Sequence, residues 1–193
     1  MDDDALLERL ADDLDGAFET LVRAHQDRLY SIALRFLGDP SDAEEVAQDA
    51  LVRAYRALAN FEGARIRELR LRGWLATIVI RRCRTRSARR RLATVPFDQP
   101  VDEPRREIAA PSGETPLERV VRRESAERLA GYLAALPERY RGPIVLRHVD
   151  GLSYPEASEA LGRPEGTVKA QVHRGLALLR DALAATEREE SIA

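Results

Sequence analysis

Apolar residues recur along this chain at steps of three and four, the period of helices that bury one stripe. Leu6, Leu7, Leu10 and Leu14 form the first stripe, in an acidic segment that Gly16 is expected to interrupt. A longer helix follows, with Phe18, Leu21, Val22, His25, Leu29, Ile32, Ala33 and Phe36 on one face, ended by Gly38-Asp39-Pro40. The next is the most regular: Ala43, Val46, Ala47, Ala50, Leu51, Ala54 and Leu58 share a face. Ser41 and Glu44 have the spacing of a capping box at its start. Its other face carries Glu45, Gln48, Asp49, Val52, Arg53 and Arg56, and an apolar Val52 amid charges suits a partner surface. Ala93 to Pro116 has no helical period and holds five of the ten prolines, so it reads as a linker. Helical spacing returns from Leu117 to Leu136, with Ala126, Leu129, Ala130 and Leu133 in register. A further helix after Pro137 carries Tyr140, Ile144, Val145 and Val149, and Pro143 must kink or delay it.

The stretch from Gly151 to Arg180 carries the sharpest local signals. Ser153 and Glu156 form a capping box, and Pro155 falls in the first turn, where a missing N–H costs nothing. Gly162 can take the left-handed conformation that ends this short helix. Arg163 to Gly166 then make a turn, with Thr167 as the expected cap of a second helix. Val168, Val172, Leu176 and Leu179 bury one stripe of it, while Lys169, Gln171, His173, Arg174 and Arg180 stand opposite. Two helices, a glycine-containing turn and a basic second face read as a helix-turn-helix. The expected fold is therefore all-α: two small helical domains, 1–92 and 117–185, joined by the flexible linker 93–116. The second is the helix-turn-helix, and a polar tail spans 186–193.

Charge sharpens this picture. The net charge is −2, so any nucleic-acid signal must be local. Positions 64 to 92 supply it, with eleven Arg against one Glu flanking the only Trp, Trp74. Such a surface tracks phosphates, and an aromatic beside it can stack on an unpaired base. Lys169 is the only lysine among 31 basic residues, a bias that fits a GC-rich coding sequence first and forked contacts to phosphate second. A single cysteine, Cys83, excludes a disulfide framework and a multi-cysteine zinc site. His25 reads as a packed histidine, since no Cys or second His lies nearby. No apolar run approaches membrane-spanning length and the acidic N-terminus is no signal peptide, so the expected location is the cytoplasm. No nucleophile motif, phosphate-cradling loop or metal-ligand spacing appears, so neither enzymatic chemistry nor a cofactor nor a small-molecule substrate is expected.

Together these residues resemble the extracytoplasmic-function (ECF) sigma factors, the minimal promoter-recognition subunits of bacterial RNA polymerase. LYSIALRFLGDPSDAEEVAQDALVRAYRAL, then Phe61 and GWL, is similar to their second conserved region. LPERYRGPIVLRHVDGLSYPEASEALGRPEGTVKAQVHRGLALLR is similar to their fourth. The resemblance implies that core RNA polymerase meets Asp42, Glu45, Gln48, Asp49 and Arg53. It implies that the melted minus-ten element meets Asn60, Phe61 and Trp74, with Arg81, Arg82, Arg89, Arg90 and Arg91 on the neighbouring backbone. The minus-thirty-five element would be read by Thr167, Lys169, Ala170, His173 and Arg174, and an anti-sigma factor would be a further partner. Twelve residues separate Phe61 from Trp74, more than the family pattern leads one to expect, and Gln171 stands where an Arg is usual. Two other readings remain: a dimeric helix-turn-helix regulator of duplex operators, and a decoy that titrates an anti-sigma partner. The basic segment argues against the decoy, and no dimerisation element is evident for the regulator.

Overall fold

The computed structural model describes residues 3–92 and 116–190; the linker reading lies outside them. All regular structure among the described residues is helical: α1 (Asp3–Asp12), α2 (Leu14–Leu37), α3 (Pro40–Leu58), α4 (Gly63–Arg67), α5 (Leu71–Leu92), α6 (Pro116–Ala135), α7 (Glu138–Ile144), α8 (Tyr154–Leu161) and α9 (Glu165–Glu190). The all-α expectation therefore holds. In the first half α2 packs on α1, α3 and α5 around Leu21, Leu29, Ile32, Phe36, Leu58, Leu75 and Ile80, all fully buried. In the second, α7 and α8 pack on α9 through Ile144, Leu146, Ala157, Val168 and Val172.

Several boundaries fall where chain chemistry moves them. The break after α1 is at Asp13, not Gly16, because the Asp13 carboxylate accepts the Gly16 N–H at 3.0 Å and caps α2. Gly16 lies inside that helix. Asp39, not Ser41, caps α3: Pro40 occupies its first turn, where its fixed φ suits it, so the cap steps back two residues. Thr167 is likewise interior, since α9 starts at Glu165 and the Val168 N–H already bonds to the Pro164 carbonyl at 3.0 Å. The same helix runs past Thr186 to Glu190, so the expected tail begins as helix. The capping box of Ser153 and Glu156 is present, and Gly38 and Gly162 end their helices at φ 75° and 63°. Pro143 sits inside α7, which passes into a π-helical turn over Val145–Val149. A wider turn is how the chain absorbs a proline that cannot donate.

The two halves also pack on each other, which no periodicity announced. α2 meets α6 and the π turn, and α5 meets α8. Arg141 of α7 donates to the Phe36 carbonyl at the end of α2 (2.7 Å) and to the Ala134 and Leu136 carbonyls at the end of α6. One guanidinium thus satisfies the orphan carbonyls of two helix ends.

Candidate nucleic-acid interface and partner face

The helix-turn-helix is braced from within. The Ser158 hydroxyl donates to the Arg163 carbonyl at 2.5 Å, and Arg163 donates to the Arg139 carbonyl (3.2 Å) and to Gln171 (3.0 Å). Gln171 is therefore a strut of the turn rather than part of the outer face. With Val168, Val172 and Gly175 buried, helical geometry turns Thr167, Lys169, Ala170, His173 and Arg174 outward, and all five are exposed. Lys169 pairs with Glu165 at 2.7 Å and lies 5.4 Å from the Tyr154 ring centroid. Arg174 and Thr167 line a cleft of about 540 Å³ with Arg139 and Tyr140 on its far wall. The face is exposed and basic, and it belongs to a helix, the element a major groove admits.

The aromatic cluster lies in the first half of the chain, between the end of α3 and the start of α5. Phe61 and Trp74 stand 6.1 Å apart between centroids, tilted at 54°, and the Arg65 guanidinium covers Phe61 at 3.8 Å. Asn60, exposed, donates to the Arg56 carbonyl at 2.6 Å and closes the end of α3. The extra residues between Phe61 and Trp74 fold as α4, which α1 pins. Arg67 reaches Glu8 at 2.7 Å and Asp12 at 2.5 Å, and Ile66 is buried. The acidic N-terminal helix thus has a structural job: it holds the loop that carries Phe61.

Along α5 the arginines divide. Arg81, Arg89 and Arg90 are exposed. Arg82 instead pairs with Asp49 of α3, and Arg84 lies 3.6 Å from Glu138 of α7. Arg86 donates to Asp42 and Glu45, and the Asp42 hydrogen bond raises its pKa most. Asp42 keeps only 13% of its side chain exposed, so it braces the face more than it presents itself. Glu45, Gln48 and Arg53 are exposed and Asp49 half-exposed, with Arg53 gripping Asp49 at 3.0 and 3.2 Å and Gln48 donating to Glu44 at 3.2 Å. Val52, 47% exposed, lies among them. The structure thus brings Arg82, expected at DNA, onto the carboxylates expected at polymerase.

Among the described residues no group of three or more His, Cys, Asp or Glu could hold a metal, and no helix is long and apolar enough to cross a membrane. Cys83 is buried, and desolvation pushes its thiol pKa up, away from reactivity. His25 is buried as expected, and its pKa is lowered chiefly by burial.

Comparison with known proteins places this architecture. Residues 21–92 match the model of sigma-70 region 2, and residues 126–179 match that of sigma-70 region 4. ECF RNA polymerase sigma factor SigW of Bacillus subtilis is 33% identical over 178 residues, covering 86% of this chain and 89% of that protein. ECF RNA polymerase sigma factor SigE of Mycolicibacterium smegmatis is 32% identical over 87% of this chain, which spans 62% of that longer protein. The structure of CnrH in complex with the cytosolic domain of CnrY superposes with a TM-score of 0.68 at 27% identity, covering 95% of this chain and 97% of that one. A region 2 bundle with a basic aromatic edge, followed by a region 4 helix-turn-helix in the same order as these relatives, makes this chain a member of the ECF sigma factors of RNA polymerase.

Proposed function

We propose that residues 1–92 join this sigma factor to core polymerase and to the melted minus-ten element, and that residues 117–185 read the minus-thirty-five element. The observation that carries this is the separation of two unlike nucleic-acid surfaces. One is an exposed, basic recognition helix suited to duplex. The other is the Phe61–Trp74 pair with Arg65 over Phe61 and with Arg81, Arg89 and Arg90 exposed further along α5, suited to a single strand. A single strand is absent from closed promoter DNA, and extruding a base costs a few kcal/mol. Contacts made with polymerase through α3 offset that cost. The chemistry then belongs to the polymerase, and this chain supplies address and melting, from the cytoplasmic side. The alternating polar face of α3, with Val52 exposed at its centre, supports the polymerase contact.

A gel-shift titration with purified chain, core polymerase and promoter DNA tests the assignment. The chain alone is expected to bind duplex weakly and with steep salt dependence, as a single recognition helix should. Adding core polymerase is expected to produce a specific complex. Tight, sequence-specific binding by a dimer of the chain without polymerase would favour a duplex-operator regulator instead.

A further inference from the structure

The α5 arginines sort by helical register. Arg82, Arg86 and Arg90 recur every four residues and share one stripe. Asp42, Glu45 and Asp49 on α3 recur at steps of three and four and form a matching acidic stripe. The two meet as a ladder between the packed helices. Arg82 pairs with Asp49. Arg86 places Nε 2.8 Å and Nη2 2.6 Å from Asp42 Oδ1, and its Nη atoms 2.9 and 3.0 Å from the Glu45 oxygens. Arg90 ends 3.7 Å from Asp42. Arg81 and Arg89 lie off this stripe, exposed, and reach no carboxylate among the described residues.

We propose that Arg82 and Arg86 are positioning residues for the polymerase contact, acting through Asp49, Asp42 and Glu45, and are not grips on promoter DNA. The inference rests on reading the polar face of α3 as the polymerase dock. A guanidinium already paired with a carboxylate, through Nε for Arg82 and through all three nitrogens for Arg86, must give up that pairing before it can take a phosphate. The exposed arginines beside it pay no such exchange, so the backbone of the single strand falls to them. The carboxylates, by contrast, gain. Asp49 is held from two sides, by Arg53 and Arg82, yet a third of its side chain stays open, and 64% of Glu45 does. A carboxylate has about four acceptor positions, so bonds from below leave lone pairs for a partner above. Fixing it beforehand removes ordering cost when the partner arrives. Partly exposed ion pairs of this kind add little to folding, so their loss leaves the bundle intact.

The test titrates core polymerase with fluorescently labelled full-length chain, as wild type, Arg82→Gln, Arg86→Gln, Asp49→Asn and the double variant Arg82→Gln/Asp49→Asn. Circular dichroism checks helicity for each. A forked minus-ten oligonucleotide is then titrated against each holoenzyme at saturating chain. Arg82→Gln and Arg86→Gln are expected to weaken core affinity by about fivefold, with the double variant no weaker than Asp49→Asn alone, because coupled residues do not add. Arg82→Lys, which keeps the charge and loses the fork, should fall between. Capture of the oligonucleotide by the saturated holoenzymes should stay near wild type. Unchanged core affinity with lost oligonucleotide capture would make these arginines DNA grips and overturn the proposal, as would additive losses in the double variant. If Asp49→Asn itself binds core normally, the α3 dock fails and takes the proposal with it, a result recognisable because that variant leaves both arginines in place.

Discussion

Arg28 of α2 grips Asp150 with both arms of its fork, Nε to Oδ1 at 2.5 Å and Nη2 to Oδ2 at 2.6 Å, joining positions 122 residues apart. The same Nη2 reaches the Arg72 carbonyl at 2.9 Å, and Arg72 answers by donating to the Asp150 carbonyl at 3.0 Å. The Asp150 side chain is 1% exposed, so this clasp is a buried contact between the region 4 half and the region 2 half, beside that of Arg141.

Removing Arg28 would leave a buried carboxylate unpaired, a situation worth about 3–5 kcal/mol when no relief is available. Relief is available here, because the halves can part and hydrate Asp150. Arg28→Ala is therefore expected to open the chain rather than unfold it. Energy transfer between dyes at Ala59→Cys and Ala177→Cys, both exposed positions, measures the opening. Buried Cys83 does not compete for label. An unchanged distance distribution in Arg28→Ala would show that other contacts hold the halves.

What was legible in the sequence follows from range. The capping box at Ser153 and the left-handed Gly162 are settled by neighbours three or four residues apart, and both stand as read. Ser41 failed for an equally local reason: two candidate caps flank a proline, and the proline's own preference for the first turn decides between them. The Arg28–Asp150 clasp could not be read, because one arginine among so many carries no mark of its distant partner. Arg82 and Arg86 show the same limit. The sequence marked a basic segment over positions 64 to 92, but only the packing of α3 on α5 tells which of its arginines meet carboxylates.

Gly175 is part of the buried stripe of α9 that apolar periodicity overlooked, since glycine does not register as apolar. A Cβ there would meet Ile144 Cδ1 at 2.5 Å and Tyr140 Cβ at 3.0 Å. Alanine gains about 1 kcal/mol over glycine in a helix, while overpacking a core costs about 1–3 kcal/mol. Because the Tyr140 Cβ cannot swing away, Gly175→Ala is expected to lower the melting temperature. Gly131→Ala on α6, with nothing within 4 Å of the new atom, should raise it. Equal shifts in the two variants would mean that α7 yields to the added methyl group.

His25 makes stability depend on pH near neutrality. Burial lowers its pKa most, Arg28 and Arg72 add to the lowering, and Asp3 and Asp150 oppose it. The unfolded chain thus takes up the proton first as pH falls through about 6.5. The contribution is complete above that value and is lost progressively from there down to the lower folded pKa. Thermal melts at pH 7.5 and 5.5 should show a smaller difference for His25→Gln than for wild type. An identical difference would assign the acid sensitivity to other groups.

The recognition helix offers two cations of different kinds, which lets position and sequence readout be told apart. Lys169 is a point charge tethered to Glu165 at 2.7 Å on the surface of the helix. Arg174 is a planar fork at the edge of the cleft it shares with Thr167 and Arg139. A fork can meet the two acceptors of a guanine edge at once, and such a pair discriminates by about 1–3 kcal/mol. A point charge on the backbone gives affinity without preference, and contributes about one unit to the salt slope. With holoenzyme and a set of minus-thirty-five variants, Arg174→Ala is expected to weaken the preferred sequence most and to flatten preference at one or two positions. Lys169→Ala should weaken every sequence alike and reduce the salt slope. If Arg174→Ala also lowers all sequences equally, Arg174 grips phosphate, and base readout must come from Ala170 and His173 beside it on the same exposed arc.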